Sequence, residues 1–256
     1  MSALYLPLVL MLGGLIWRGV AFEFRFKATE AHKPIWDHAF AWGSYIATFS
    51  QGVALGTFIN GFEVTDGAYS GGGLDWLTPF SLFTGLGLVL AYAMLGSTWL
   101  VMKTEGALQR RMKALARPLT MAVLAMIVIV SIWTPLSHPA VATRWFSLPN
   151  LIFFAPVPIL VLLATWAILR TLRQDTHAAP FLFALLLLFL GYSGLAISLW
   201  PNIIPPSISI WDAAAPPQSM GFTLVGALFI IPFILAYSTW SYYVFRGKVK
   251  PGEGYH

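Results

Sequence analysis

The chain has 256 residues, of which 58% are hydrophobic and only 10% are charged. So few charged residues cannot cover a water-soluble domain of this size, and the composition therefore predicts an integral membrane protein. The absence of cysteine excludes disulfides, thiolate metal sites and iron–sulfur clusters. The net charge of +5 does not indicate nucleic-acid binding, because the cations flank apolar segments, where they act as topology signals.

Seven apolar segments have about the length that crosses the hydrocarbon core of a bilayer as a helix. We interpret them as helices because a backbone in lipid must form its own hydrogen bonds, and because they lack the alternating pattern of barrel strands. The predicted fold is an all-α integral membrane protein, a polytopic bundle of seven transmembrane helices in one domain over residues 1–256. The predicted spans are residues 3–21, 39–61, 77–102, 118–136, 151–172, 179–200 and 222–245.

The basic residues predict the orientation of these spans. Of the 15 Lys and Arg residues, all but Arg144 follow the first, third, fifth or seventh span. Cytoplasmic loops are enriched in Lys and Arg, so the amino terminus of this chain is predicted to be periplasmic and the carboxyl terminus cytoplasmic. Met1 would then directly precede a translocated apolar span, so either the first helix is translocated amino end first or helices upstream of it are absent from this chain.

The end of the first span carries an unusual group of charges, at Arg18, Glu23, Arg25 and Lys27. One interpretation is a cytoplasmic charge anchor, and the other is a polar cluster that handles protons, because charges near a bilayer usually pair or line a water-filled path. Glu23 and Lys27 are four residues apart and share a helix face, while Asp37 opens the second span and could face them. Such a cluster either passes protons or clasps the two helix ends.

Three further features concern helix packing and attachment to the membrane surface. Gly52 and Gly56 form a G-x-x-x-G pattern, which lets helices approach closely, and packing within a bundle is a commoner use of it than dimerisation. Arg246 follows the last span and is predicted to be a charge anchor. Residues 103–117 are amphipathic, which suits either a helix on an anionic leaflet or a solvated connection.

The chain offers few groups for metal or redox chemistry. Its five histidines fall in connections or at helix ends, and no two share a helix at a spacing that would face one metal. Its methionines are isolated side chains of the kind that fill apolar cores. It has no phosphate-binding loop, nucleophile elbow or metalloprotease motif. We therefore expect no metal, no bound cofactor and no catalysis from this chain alone.

Several stretches carry a resemblance that goes beyond composition. They are residues 18–27, Gln-Gly-Val-Ala-Leu-Gly at 51–56, Trp-Leu-Val-Met-Lys-Thr-Glu-Gly at 99–106, residues 201–216 and Val-Phe-Arg-Gly-Lys at 244–248. In this order they resemble subunit II of the cytochrome bd quinol oxidases, with most similarity to the cyanide-insensitive branch. The resemblance covers nearly the whole chain.

The resemblance implies a respiratory terminal oxidase of the bacterial inner membrane, which oxidises quinol and reduces dioxygen to water with cytoplasmic protons. It implies that haem b and haem d belong to a partner, subunit I, which this chain stabilises. Quinone at the subunit or lipid interface, membrane lipids and a small accessory subunit are further implied partners. The family fold has nine helices, so the first two would be missing here.

The resemblance also bears on the charged residues. The family's cytoplasmic entrance for protons matches Glu23, Lys27 and Asp37 position by position. A stand-alone transporter or channel is the alternative function, and the lack of recognisable inverted-repeat halves makes it the weaker one.

The predicted topology can be tested with reporter fusions, because moving a basic loop across the membrane opposes the positive-inside bias. Cytoplasmic signals are expected for fusions after Lys33, Lys113, Arg173 and His256. Periplasmic signals are expected for fusions after Ser70, Pro139 and Pro216. A reproducible reversal at any of these positions would contradict the predicted helix count.

Overall fold

A computed structural model of the chain describes residues 2–65, 68–174, 176–205 and 208–248. Met1, His256 and part of the 201–216 stretch, which enter the predictions above, lie outside this described part. The helices, after a 3-10 turn at Ser2–Leu4, are α1 (Tyr5–Lys27), α2 (Lys33–Asn60), α3 (Pro79–Lys103), α4 (Gly106–Ser137), α5 (Pro139–Phe146), α6 (Asn150–Phe154), α7 (Pro156–Thr171), α8 (Ala179–Leu199) and α9 (Pro217–Val244).

Six of these helical segments are long and apolar enough to cross a membrane, with α6 and α7 together forming one of them. The predicted class, a polytopic all-α membrane protein, is therefore confirmed. The second predicted span corresponds to α2, which has 28 residues but is not among the six. Ser44, Ser50 and Gln51 interrupt the apolar run of α2. Its crossing of the membrane stays a prediction.

The largest buried core lies among α3, α4, α7 and α8. Met94 from α3, Ile168 from α7 and Leu187 from α8 are completely buried there. The remaining packed helices extend from this core in a row, since α2 packs along α3 and α1 packs along α2. Within the described residues, α9 has no extensive contact with any other helix, and none of its residues is buried.

The fourth helix is longer than its predicted span. The apolar run predicted a span over residues 118–136, but α4 begins at Gly106 and continues through Pro118. Its 32 residues correspond to about 48 Å at 1.5 Å per residue, whereas the hydrocarbon core is about 30 Å thick. The basic residues 106–117 therefore form the first three turns of α4 rather than a separate surface helix.

Glycine brings the backbones of α2 and α3 into close contact. A Cβ atom added to Gly52 would lie 2.8 Å from Cα of Gly85, and one added to Gly56 would lie 2.6 Å from Cα of Ser81. The hydroxyl of Thr84 donates a hydrogen bond to the carbonyl of Gly52 at 3.0 Å across this contact. The G-x-x-x-G pattern thus packs inside the bundle, against α3.

Two short hairpins lie between helices at the end of the bundle opposite Lys27 and Lys103. The first pairs β1 (Val64–Thr65) with β2 (Ala68–Tyr69), and the second pairs β3 (Asn202–Ile204) with β4 (Ile208–Ser209). After the first hairpin, the Tyr69 hydroxyl donates a hydrogen bond to the Asp75 carboxylate at 2.8 Å. Desolvation and this hydrogen bond raise the pKa of Tyr69 to about 12. After the second, Ser209 donates to Asp212, which lowers the pKa of that carboxyl.

The glycine contact can be tested with Gly56→Ala, because the added methyl group has no room against the backbone of α3. Overpacking of this kind costs about 1–3 kcal/mol, so we expect the melting temperature in detergent to fall by several degrees. Gly96→Ala in α3 is the matched control, since nothing lies within 4 Å of a Cβ atom there. Equal melting temperatures for the two variants would contradict the close contact.

Candidate functional site

Most of the charged side chains gather at one end of the bundle, which we call the basic end. It comprises the carboxyl ends of α1, α3, α7 and α9 and the amino ends of α2, α4 and α8. Contacts between these ends, rather than sequence proximity, bring the charges together. This end also contains every residue of the predicted proton cluster.

The basic end of the α1–α2 contact is held by an ion pair. The Arg25 guanidinium binds the Asp37 carboxylate through Nε, and its Nη2 lies 3.5 Å from Asp37 Oδ2. About two turns deeper, the guanidinium of Arg18 lies 5.0 Å from the centre of the Phe40 ring. Arg18 and Arg25 therefore lie on the face of α1 that contacts α2, together with the completely buried Ala21.

Glu23 and Lys27 occupy a different face of α1. Two residues correspond to about 200° around a helix, so Glu23 points away from the α2 contact that Ala21 and Arg25 make. Both side chains are exposed, and the Glu23 carboxylate has no ion-pair partner within the described residues. The structure thus joins Asp37 to Arg25 and not to Glu23 or Lys27. Of the two roles open for Asp37, the observed contact is a clasp between helix ends.

A second contact at the basic end ties the carboxyl end of α9 to the start of the α3–α4 connection. The Lys103 ammonium donates to the carbonyl of Phe245 at 2.8 Å and to that of Gly247 at 3.3 Å. Lys248 forms an ion pair with Glu105 at 3.5 Å. Arg246 lies between these contacts, and its guanidinium stacks 4.0 Å from the centre of the Tyr243 ring. These interactions are polar and local, and they attach α9 by its end.

A third set of contacts joins α4 to the loop between α7 and α8. Gln109 Nε2 donates to Nδ1 of His177 at 3.3 Å, and Lys113 donates to the carbonyl of Gln174 at 3.3 Å. Arg117 donates to the carbonyl of Leu172, also at 3.3 Å. The donors are spaced four residues apart on α4, so the loop runs along one stripe of that helix. Cations at the carboxyl end of α7 are favourable because the helix dipole is negative there.

The described residues contain no group of three or more His, Asp or Glu side chains that could hold a metal ion. The histidines of the described part lie next to helix ends: His32 precedes α2, His38 is in its second turn, His138 separates α4 from α5, and His177 precedes α8. No two of them face each other from neighbouring spans. The histidines of the described part therefore offer no pair of axial haem ligands from inside the spans.

The fold and the basic end define a class, a polytopic helical membrane protein whose charges cluster where its helices meet one surface of the bilayer. The family described as cytochrome bd terminal oxidase subunit II matches residues 1–245. The chain belongs to that family.

Named relatives agree with this assignment. Cytochrome bd-I ubiquinol oxidase subunit 2 of Escherichia coli is 26% identical over 97% of this chain and 75% of its own length. Cytochrome bd ubiquinol oxidase subunit 2 of Bacillus subtilis is 28% identical over 99% of this chain and 75% of its own length. A probable cytochrome oxidase subunit 2 of Haemophilus influenzae is 26% identical over the same shares as the E. coli protein.

The sequence did not predict the contacts of Lys103, Glu105 and Gln109 across the basic end. The resemblance to the family did contain a signal for these contacts. Lys103 and Glu105 belong to the stretch at 99–106, and Lys248 belongs to the stretch at 244–248. Only the structure places those stretches in contact. The loop contact of Gln109 has no comparable signal, since its nearest partners are backbone carbonyls and one histidine.

Proposed function

We propose that this chain is the haem-free subunit of a terminal oxidase that transfers electrons from two quinols to dioxygen and forms two waters. In this proposal it stabilises a haem-bearing subunit I, which holds haem b and haem d. Reduction of dioxygen to two waters takes up four protons. Part of the route by which these protons reach the oxygen passes through this chain. The basic end faces the cytoplasm, as the positive-inside rule predicts.

One observation carries the proposal: the family match extends over residues 1–245, so that it includes every described helix. The relatives from E. coli and B. subtilis are named as second subunits of ubiquinol oxidases. Within the described residues, the histidines offer no pair of axial ligands inside the spans, which agrees with a proposal in which another polypeptide holds the redox groups.

The exposed apolar surface of this chain supports a partner inside the membrane. All of α9 and most of α1 expose large apolar side chains, for example Phe229, Phe233 and Trp17. Such surfaces can also contact lipid acyl chains, so their exposure alone does not indicate that subunit I binds there. The polar attachment of α9 through Lys103 and Glu105 does leave its apolar length free for contact with another membrane-embedded chain.

For proton uptake we propose Glu23 as the exchanging group, with Lys27 on the same helix face and Asp37 as a secondary group. Glu23 is exposed on the side of α1 that points away from α2. A proton route through Glu23 would therefore run between α1 and the lipid or partner subunit that covers this side. Asp37 is engaged by Arg25 in an ion pair, whereas the Glu23 carboxylate has no ion-pair partner within the described residues. The proposal therefore ranks Glu23 above Asp37.

The oxidase assignment predicts that a tag on this chain copurifies a larger partner that carries haem. A reduced-minus-oxidised absorption spectrum of the complex should show haem b and haem d, and the chain expressed alone should show neither. A complex without haem would favour the transporter alternative. Haem retained by the isolated chain at one equivalent would contradict the proposed division between subunits.

The proton proposal predicts a partial loss of quinol-dependent oxygen consumption in Glu23→Gln, with haem content and assembly unchanged. Proton-transfer groups typically contribute about 10²–10⁴-fold, and a second group softens the loss, so we expect a decrease on the order of tenfold. Glu23→Asp should keep much of the rate, because it preserves the carboxyl group. The double variant with Asp37→Asn should lose more.

Two controls separate proton transfer from ion pairing. Arg25→Gln breaks the same pair as Asp37→Asn but keeps both carboxylates, and it should retain activity close to the parent. Glu30→Gln removes an exposed carboxylate that pairs with Lys33 in the connection, and it should also behave like the parent. If the Glu23 and Asp37 double variant turns over like the parent, these residues are anchors and take no part in proton uptake.

A further inference from the structure

The first turns of α4 and the loop after α7 place several cations in one small region. Arg110, Lys113 and Arg117 lie at i, i+3 and i+7 on α4, which puts them on one side of the helix. Arg173 lies in the loop that Lys113 and Arg117 bind through their hydrogen bonds to carbonyls. We call these four residues the basic seam. Even with Asp175 of the same loop counted, the seam has an excess of three positive charges by sequence.

The guanidinium groups of the basic seam have capacity for a further acceptor. Arg110 and Arg173 are exposed, and neither has a carboxylate partner within the part of the chain that the structure describes. Arg117 has one hydrogen bond to the Leu172 carbonyl, whereas a guanidinium offers five N–H donors. Within the described residues, no carboxylate therefore neutralises the guanidinium groups of Arg110 and Arg173.

The position of the seam along α4 sets its level in the membrane. Arg117 directly precedes Pro118, where the apolar run of the helix begins. Arg110 lies seven residues earlier, about 10 Å further from the hydrocarbon core. The headgroup layer on each side of a bilayer is about 5–8 Å thick, so the seam extends through the level of the lipid phosphates.

We propose that the basic seam binds the phosphate headgroup of an anionic phospholipid. Basic clusters next to a transmembrane helix attract anionic lipids, and planar guanidinium groups bind phosphate through paired hydrogen bonds. The loop contacts along Lys113 and Arg117 hold Arg173 beside α4, so the site depends on two segments that are about 60 residues apart in sequence. The inference does not rest on the oxidase assignment.

Native mass spectrometry of the full chain, with any copurifying partner, tests the site against dioleoylphosphatidylglycerol and dioleoylphosphatidylcholine. We expect the parent to prefer the phosphatidylglycerol. Each Lys or Arg near an anionic surface contributes about 1 kcal/mol, which is about fivefold. Arg110→Gln with Arg173→Gln should therefore weaken phosphatidylglycerol binding on the order of 25-fold and leave phosphatidylcholine binding unchanged.

Arg111→Gln with Arg246→Gln is the matched control, because it removes the same charge from the same end of the bundle. Arg111 is exposed and lies about 100° further around α4 than Arg110, on the side away from the loop. The control should keep nearly the parental preference. If both double variants lose phosphatidylglycerol binding equally, the attraction is a general effect of positive charge at this end of the bundle, and the proposed site is wrong.

Three further results decide the outcome. The single variant Arg173→Gln is a check in case the double variant misfolds, because Arg173 lies outside any helix. It should weaken binding about fivefold. Equal binding of the two lipids by the parent would overturn the proposal and favour an acidic protein segment as the ligand. Displacement of the lipid by inorganic phosphate at the same concentration would show that free phosphate, and not a lipid, is recognised.

Discussion

Close backbone contact on both sides of α2 is the constraint on which the arrangement of the first three helices depends. Lipid is as apolar as leucine, so helices in a membrane gain little from burying large apolar side chains against each other. Gly14 and Gly43 meet at the α1–α2 contact, where a Cβ atom on either would lie 2.8 Å from a backbone oxygen of the other. Gly52 and Gly56 serve the same purpose against α3. Glycine residues on both sides of α2 thus hold it against its two neighbours.

The contacts at the basic end add a second layer that is polar. Three separate attachments occur there: Arg25 with Asp37, Lys103 and Glu105 with the end of α9, and the α4 stripe with the loop after α7. Each joins the end of one helix to another segment, and in the last two the acceptors are mainly backbone carbonyls. Exposed ion pairs contribute little to stability, so their main effect is to fix how helix ends are placed relative to one another.

This placement matters for function because some charged side chains bind another segment of the chain and others do not. Arg25 and Asp37 bind each other, while Glu23 and Lys27 remain exposed on the opposite side of α1. Lys113 and Arg117 bind the loop, while Arg110 and Arg173 remain available at the level of the headgroups. In both places charges that bind another segment of the chain lie close to charges for which no ion pair is seen within the described residues. The proposals for proton uptake and for lipid binding rest mainly on the latter.

The sequence by itself determined the membrane class and the helical architecture, because the length of apolar runs and the need to satisfy backbone groups in lipid leave few alternatives. Through the stretches at 51–56, 99–106 and 244–248 it also indicated the family. It also identified Gly52 and Gly56 as packing residues. It did not determine which charges meet. Asp37 follows Glu23, Arg25 and Lys27 by 14, 12 and 10 residues, so sequence distance does not select Arg25. Only the rotation of α1 against α2, set by Gly14, Gly43 and Ala21, decides that Arg25 is its partner. The same holds for α4 and the loop after α7, whose contact depends on how the four helices of the core pack.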